Sequence, residues 1–383
     1  MFITIILGLI AMTVWWRVRL EPRLAELVHG RLWRVLATGF VVMVIACPLI
    51  AAELGHVFYA PISAAGFLWH VLVLPEVIAV MVAVDLAMWV MGRSGAEAPV
   101  DPRRRKFLTA VAAIAPPLAT VGLAGIAEAQ LGHFRVRELE LSQPGWPMNL
   151  DGFAIAFVAD VHAGPFSNQA MLERIVQRTN TIHHGGPADL VLMGGDLINT
   201  SLRDLPAALE MATALRSRLG TIACMGNHDV MQNPGRFIEE VEKRGIPLLR
   251  DDAMTLTSNG TRFQVMGVDW RLGDDALYES VAAAAARRNP LLFPICLAHH
   301  PHCWDEGVRQ GLPLMLSGHT HGGQIMLTDS IGAGPLRFRY WSGEHRRDGS
   351  TLVISNGVGN WFPLRVNAPA EIMKITLRAV EPV

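Results

Sequence analysis

Apolar residues crowd the first third of the chain and then thin into short runs, and that change of pattern divides the sequence in two. Four long apolar stretches come first: "FITIILGLIAMTVWW", "VLATGFVVMVIACPLIAA", "FLWHVLVLPEVIAVMVAVDLAMWVM" and "FLTAVAAIAPPLATVGLAGIA". A membrane-spanning helix needs about 17–25 such residues, and the first stretch is at the short end of that range. Beyond Gly132 the runs shrink to strand length. "FAIAFVAD", "ADLVLMGGD", "GTIACMGNHD", "PLLFPICLAHH" and "LPLMLSGHTH" predict buried strands. Between them, "NQAMLERIVQRTNTI" and "LRDLPAALEMATALRSRL" repeat apolar positions every three or four residues, which predicts helices. The expected organisation is a transmembrane region of about four helices over residues 1–132, followed by an α/β domain over 133–383.

Charge adds a direction to the membrane part. Arg17, Arg19, Arg23, Arg31 and Arg34 separate the first and second stretches, and Arg93, Arg103, Arg104, Arg105 and Lys106 separate the third and fourth. The segment from Glu53 to Gly66 has neither Lys nor Arg. Basic loops stay cytoplasmic, so the domain is expected on the outer side of the cytoplasmic membrane. The first stretch also resembles a signal-peptide core, but bulky Trp15, Trp16 and Arg17 follow it instead of a small-residue cleavage site. "RRKFL" and "AEA" (Ala127 to Ala129) match a twin-arginine export signal with a cleavage site; the bland alternative is a basic anchor at the end of a span. Glu76 and Asp85, with His70 near the start of the same stretch, are costly in a membrane and are either functional or bundle-facing. The formal net charge of −1 gives no electrostatic case for nucleic-acid binding. Of the four cysteines, Cys47, Cys224 and Cys296 read as small buried hydrophobes, and Cys303 stands out only for its histidine neighbours.

The chemistry lies at the strand ends. Asp160 and His162 ("DVH"), Asp196 ("GGD"), Asn227 and His228 ("GNHD"), His299 ("AHHP"), and His319 and His321 ("GHTH") each end a predicted strand. Loops at the carboxyl ends of strands are where α/β folds gather active sites. Carboxylates, an amide oxygen and imidazoles suit borderline divalent ions. The set is too large for one tetrahedral ion and serves two if a carboxylate bridges, which Asp196, with two oxygens, does most naturally. His319 and His321, two residues apart, would lie on one side of an extended backbone. Gly194, Gly195, Gly226, Gly318, Gly322 and Gly323 flank these residues and let the backbone turn close to an ion.

"D-x-H", "GGD", "GNHD", "H-x-P" and "GHTHGGQ", in this order over about the last 250 residues, resemble the calcineurin-like metallophosphoesterase superfamily. "GHTHGGQI" and the tail "VISNGVGNWFPLRVNAPAEI" are similar to its bacterial membrane-anchored or twin-arginine-exported branch. The resemblance implies a four-layer αββα sandwich with a two-metal site. It implies that Asp160, His162 and His321 hold one ion, Asn227, His299 and His319 the other, and that Asp196 lies between them. His228 would stay unliganded and serve as general acid. His300 and His302 default to supporting or surface roles, as do His133, His183, His184 and His345, while Asp229 reads as structural, capping a following turn. Protein Ser/Thr phosphatases of the superfamily follow "GD" with a further Asp and an Arg that clamps phosphate. Here "GGDLINTS" has no such arginine, which argues against phosphoproteins as substrates.

The expected activity is hydrolysis of a phosphate ester or diphosphate, with a phosphorylated small molecule or lipid as substrate, at the membrane. The expected cofactors are two divalent ions, manganese first and iron or zinc next. The alternatives are a nucleotidase or cyclic-nucleotide phosphodiesterase, and, from a different class, a transport or sensor protein whose outer domain only binds metal. A periplasmic-active reporter enzyme fused after Ala129 is expected to be active, and a fusion active only in the cytoplasm would reverse the orientation.

Overall fold

The structure is a computed structural model that describes residues 2–25, 27, 29–54, 60–93, 102–328 and 331–380. Within these, the side chains of Arg23, Cys47, Asp85, Arg93 and residues 103–106 lie outside the description, and with them the side-chain side of the twin-arginine reading. The chain separates into two compact units, Met1–Ala129 and Gln130–Val383.

The first unit is helical: α1 (Phe2–Ala25), α2 (Gly30–Leu54), α3 (Ala60–Phe67), a π-helical turn at Leu68–Val73, α4 (Leu74–Arg93) and α5 (Pro102–Gln130). Among the described residues, Ala64–Ala83 and Ala110–Gln130 are long and apolar enough to cross a membrane. An aromatic cluster organises the unit: Trp69 meets Trp16 at 4.7 Å and Phe40 at 4.8 Å, both edge-on. The Trp69 indole N–H donates to Thr13 Oγ1 at 3.1 Å, so this buried ring keeps its polar atom satisfied. Glu76 is exposed on α4, and "AEA" falls in the last turn of α5.

In the second unit the chain runs β1 (Phe134–Pro144), β2 (Phe153–Val158), α6 (Gln169–Thr179), β3 (Leu190–Met193), α7 (Leu205–Ala214), β4 (Thr221–Ala223) and α8 (Pro234–Lys243). It continues through β5 (Asp252–Ser258), β6 (Thr261–Gly267), α9 (Asp274–Ala286), β7 (Pro294–Leu297), α10 (Cys303–Arg309) and β8 (Leu314–Ser317). The last strands are β9 (Met326–Thr328), β10 (Ile331–Gly332), β11 (Gly343–Arg347), β12 (Ser350–Ile354) and β13 (Ala370–Val380). One sheet has the order β1-β13-β2-β3-β4 and the other β11-β12-β8-β7-β6-β5. β2, β3 and β4 are parallel, as are β6, β7, β8 and β12, so their carboxyl ends gather by sheet. Five predicted strands and both predicted helices correspond to β2, β3, β4, β7, β8, α6 and α7.

Side-chain alternation sorts the core. Ala154, Ala156 and Val158 of β2 pack with apolar residues of α6, α7 and α8, while Phe153, Ile155 and Phe157 of the same strand face residues of the other sheet. β12 does the same in mirror fashion: Val353 points to the inter-sheet core, and Leu352 and Ile354 pack with α9 and α10. Strands buried on both faces read as continuous apolar runs, which is why no polar–apolar alternation marks them. Asn168 and Asn233 fix two helix starts by accepting from the backbone N–H groups of Met171 and Arg236. Trp146 closes the inter-sheet core at one end. Its ring meets Phe153 of one sheet at 5.6 Å and Phe263 of the other at 5.3 Å, with Phe293 at 5.2 Å, and its N–H donates to the Leu150 carbonyl. Trp146→Ala is expected to cost about 3–5 kcal/mol of stability. A thermal midpoint unchanged from that of the native protein would contradict this central role.

Candidate metal centre

The chain leaves β2, β3, β4, β7 and β8 and turns at once into the loops that carry Asp160, His162, Asp196, Asn227, His228, His299, His319 and His321. Five of these adopt left-handed backbone: Asp160 (φ 55°), His162 (46°), Asp196 (54°), His319 (73°) and His321 (50°). Such conformations are sparsely populated for residues with a Cβ and persist where surrounding bonds over-determine them. The loops are indeed laced together: Asp160 N–H donates to the Gly195 carbonyl at 3.0 Å, and His162 N–H to the Asp196 carbonyl at 2.9 Å. At Gly318 a Cβ would lie 2.2 Å from Asp160 Oδ2, and at Gly226 one would lie 2.1 Å from Asp196 Oδ1. Only glycine permits these approaches.

Three groups of donor atoms result; one joins His162 and Asp196 to His228, and the other two hold the expected ligands. In one, His162 Nε2 lies 3.0 Å from His321 Nε2 and His321 Nε2 lies 3.4 Å from Asp160 Oδ1. In the other, Asn227 Oδ1 lies 2.8 Å from His319 Nδ1 and 3.1 Å from His299 Nε2, and the two imidazole nitrogens are 3.2 Å apart. Asp196 Oδ2 reaches both groups, 3.6 Å from His162 Nε2 and 3.2 Å from His299 Nε2. Ligands bonded at about 2.1 Å to one cation stand about 3.0–3.4 Å apart, so this spacing fits divalent ions. The donor set fits them as well, since it is hard-to-borderline oxygen and nitrogen with no thiolate.

His319 and His321 do not act on one spot. The strand ends at Ser317 and both residues turn left-handed, so His319 joins Asn227 and His299 while His321 joins Asp160 and His162. The strand alternation expected at this motif is therefore corrected, because no extended backbone exists there to impose it.

A supporting layer aims these donors. His299 Nδ1–H donates to the Gly194 carbonyl at 2.7 Å, which turns Nε2 toward Asn227 and Asp196. His228 Nδ1–H donates to the Asn199 carbonyl, and its backbone N–H donates to Asp196 Oδ1 at 2.8 Å. His228 stands 4.6 Å from the His162 ring, edge-on. Asp229 is structural, but it reaches backward instead of capping a following turn. Its carboxylate accepts backbone N–H groups of Asp196 (2.9 Å), Leu197 (2.8 Å), Ile198 (3.3 Å) and Gly226 (2.9 Å), fastening the "GGD" loop to the "GNHD" loop. Arg365, buried in the tail, went unmarked as a site residue. Its guanidinium donates to His321 Nδ1 at 2.9 Å, to Asn360 Oδ1 at 2.6 Å, and to the carbonyls of Asn356 (2.9 Å), Gly357 (3.2 Å), Gly359 (2.6 Å) and Ala368 (3.1 Å). The one available signal was an arginine within an apolar, proline-bearing tail; nothing local ties it to a histidine 44 residues away.

Burial sets the electrostatics. Asp160 is fully enclosed, and burial together with the Asp196 charge pushes its carboxyl up to about 7, against the pull of His299. Burial also works to raise Asp196, but the charge and hydrogen bond of His299, with His162 and His228, outweigh it and hold this carboxyl below the usual range. Burial pushes His162 down to about 3, and burial with neighbouring positive charge holds His319 and His321 well below the ordinary imidazole range. These three rings are therefore neutral, and the lone pair of His321 Nδ1 is the one that Arg365 meets. Burial likewise works against charge on His299, but Asp196 prevails and lifts it to about 9. His300, pushed down to about 3 by burial, packs 4.5 Å from the His319 ring, and His302 pairs with Asp274 at 3.4 Å. Neither lies in a ligand group among the described residues, and Cys303 is buried with α10. Asp229→Ala would strip four buried N–H groups of their acceptor. The expected loss is roughly 3–5 kcal/mol, with metal content reduced at the Asp196 position. Unchanged thermal unfolding together with full metal by elemental analysis would contradict this.

The sequence profile of the calcineurin-like phosphoesterase family matches residues 153–323, which hold every residue of both donor groups. A transmembrane protein with metallophosphoesterase domain from Danio rerio is 27% identical over 301 residues, covering 75% of this chain and 66% of that protein, so the match leaves about a third of the relative's length unaligned. The uncharacterized metallophosphoesterase YkuE of Bacillus subtilis is 28% identical over 244 residues, 61% of this chain and 82% of that one. The phosphodiesterase YaeI of Escherichia coli is 28% identical over 281 residues, 72% and 98% of the respective chains. With the donor groups of a metal centre inside the matched region, residues 153–323 are similar to the calcineurin-like phosphoesterase family, and the chain carries a metal-dependent phosphoesterase domain.

Proposed function

We propose that the protein is a membrane-tethered, two-metal phosphoesterase whose catalytic domain, residues 133–383, lies outside the cytoplasmic membrane and hydrolyses a phosphate ester or diphosphate, lipid-linked substrates included. The observation that carries the two-metal reading is Asp196 Oδ2, within 3.6 Å of His162 Nε2 on one side and 3.2 Å of His299 Nε2 on the other. In this reading Asp160, His162 and His321 hold one ion, Asn227, His299 and His319 the other, and Asp196 both. Manganese is the first choice, iron or zinc the next. Apolar layers between helices and sheets and between the two sheets support the four-layer αββα arrangement for the domain. Two helices of membrane-spanning length and the transmembrane relative from Danio rerio support a membrane region over residues 1–132, with the basic loops and twin-arginine pattern setting its direction.

When bound, the two ions would supply a water nucleophilic at neutral pH and offset charge on the phosphate oxygens. The chain's own residues do the rest. His228 has Nδ1–H committed to the Asn199 carbonyl, so it is as the imidazolium that its other ring nitrogen gives a proton to a leaving oxygen, returning to the neutral ring. Its backbone N–H on Asp196 Oδ1 fixes it to the metal carboxylate, which keeps donor and ligands in register. Asn227 and His319 are only half-buried, so the mouth of the site lies on their side.

The test uses full-length detergent-solubilised protein, loaded with manganese. Native protein is expected to bind two ions and hydrolyse both p-nitrophenyl and alkyl phosphate esters. His228→Ala is expected to keep both ions and lose about 10²–10⁴-fold in rate on alkyl esters, with far less effect on the p-nitrophenyl ester, whose leaving group needs no proton. Equal loss on both would remove His228 as general acid. Two bound ions without turnover of any ester would favour a metal-binding sensor.

A further inference from the structure

The metal centre is walled by aromatic rings, and one of them is misplaced for a packing role. Trp270 stands 5.8 Å from His299 and 5.5 Å from His319, and Phe338 stands 5.5 Å from His319, all at the second donor group. Trp361 stands instead beside His228, 6.0 Å away with ring planes at 52°, and 38% of it is exposed. A large indole gains little by facing water, and the group next to a proton donor borders whatever departs with that proton.

The exposed ring is held rigidly. Its indole N–H donates at 2.8 Å to the Gln324 side-chain oxygen, with the amide turned so that its NH₂ donates to the Leu364 carbonyl at 2.9 Å. The Trp361 carbonyl accepts from Asn199 Nδ2 at 3.4 Å, and Asn199 is the residue whose own carbonyl receives the His228 Nδ1–H. Upstream, Val358 N–H donates to the Ala159 carbonyl at 2.9 Å, Gly359 N–H to the Asp160 carbonyl at 2.8 Å, and Asn360 N–H to Ser167 Oγ at 3.0 Å. Arg365 grips the same turn from beneath through Gly357, Gly359 and Asn360. A platform fixed to both the ligand loop and the proton donor loses little freedom when a ligand settles on it.

We infer that Trp361 is a specificity-determining residue forming the leaving-group wall of the site, and that it selects esters whose leaving group carries an apolar body close to the ester oxygen. The inference rests on the phosphoesterase reading and on His228 as proton donor. An aryl ring and an alkyl chain share this chemistry: the first stacks on the indole face, the second only covers it.

The probes are the 1-naphthyl, decyl and glycerol esters of phosphate, each as monoester and methyl diester, assayed with manganese on the full-length protein. Trp361→Ala is expected to raise KM about tenfold for the naphthyl and decyl esters, leave kcat nearly unchanged, and leave the glycerol ester within about twofold. Trp361→Phe should restore the naphthyl ester. Trp361→Leu should restore only the decyl ester if covering, not stacking, is what the wall provides. A rise in KM shared equally by the glycerol ester, or no rise at all, overturns the inference while the phosphoesterase reading stands. Metal content equal to native in each variant keeps a damaged centre from imitating the result. No turnover of any probe by the native protein would instead overturn the phosphoesterase reading, and this inference with it.

Discussion

Two carboxylates share one buried space at the meeting point of the sheets, and the rest of the catalytic half is arranged around that fact. Asp160 and Asp196 are almost fully shielded from water, and the Asp196 charge adds to burial in raising the Asp160 carboxyl. Enclosed carboxylates are costly unless cations or donors meet them. The chain answers with neutral imidazoles that share the space, so that an ion can complete the charge balance, and with backbone N–H groups from His228 and His319 aimed at the carboxylate oxygens. Left-handed backbone at five of these strand-end positions is the geometric consequence, since each loop must reverse within a few residues of its strand.

Rigidity comes from residues that touch no ion in the proposed arrangement. Asp229 gathers N–H groups from two loops, and Arg365 gathers carbonyls from a third while holding the His321 ring. One is a buried carboxyl met by N–H donors, the other a buried guanidinium met by acceptors, so each clamps the polarity its loops present. Burial pulls Arg365 down to about 10, which leaves it charged at neutral pH. The two clamps lie on different sides of the donor set: Asp229 on the Asp196–His228 side, Arg365 on the Asp160–His321 side. The same tail turn that Arg365 holds carries Trp361, so the His321 ring and the Trp361 ring share one support.

Much of this was legible in the sequence because the chemistry is written in local motifs. Five strand-end clusters, each a short apolar run followed by Asp, Asn or His, marked every residue of both donor groups, and the long apolar segments marked a helical first unit. The strand readings succeed because a buried strand announces itself by length and composition. β1 and β5 carry no such mark, because their burial is partial and their patterns mixed.

What tertiary structure alone decided is which donor atoms stand together and what holds them. The sequence places His319 and His321 side by side, yet a left-handed turn sends them to different groups, because the fold brings His299 to one and His162 to the other. Asp229 read as a local cap and proved to be a long-range clamp, and Arg365 and Trp361 carried no local mark. Their roles depend on bonds to residues far along the chain, and the physical information for such bonds lies in the packing of two sheets, not in any window of sequence. The sequence by itself determined the elements and the ligand chemistry; folding determined the partners.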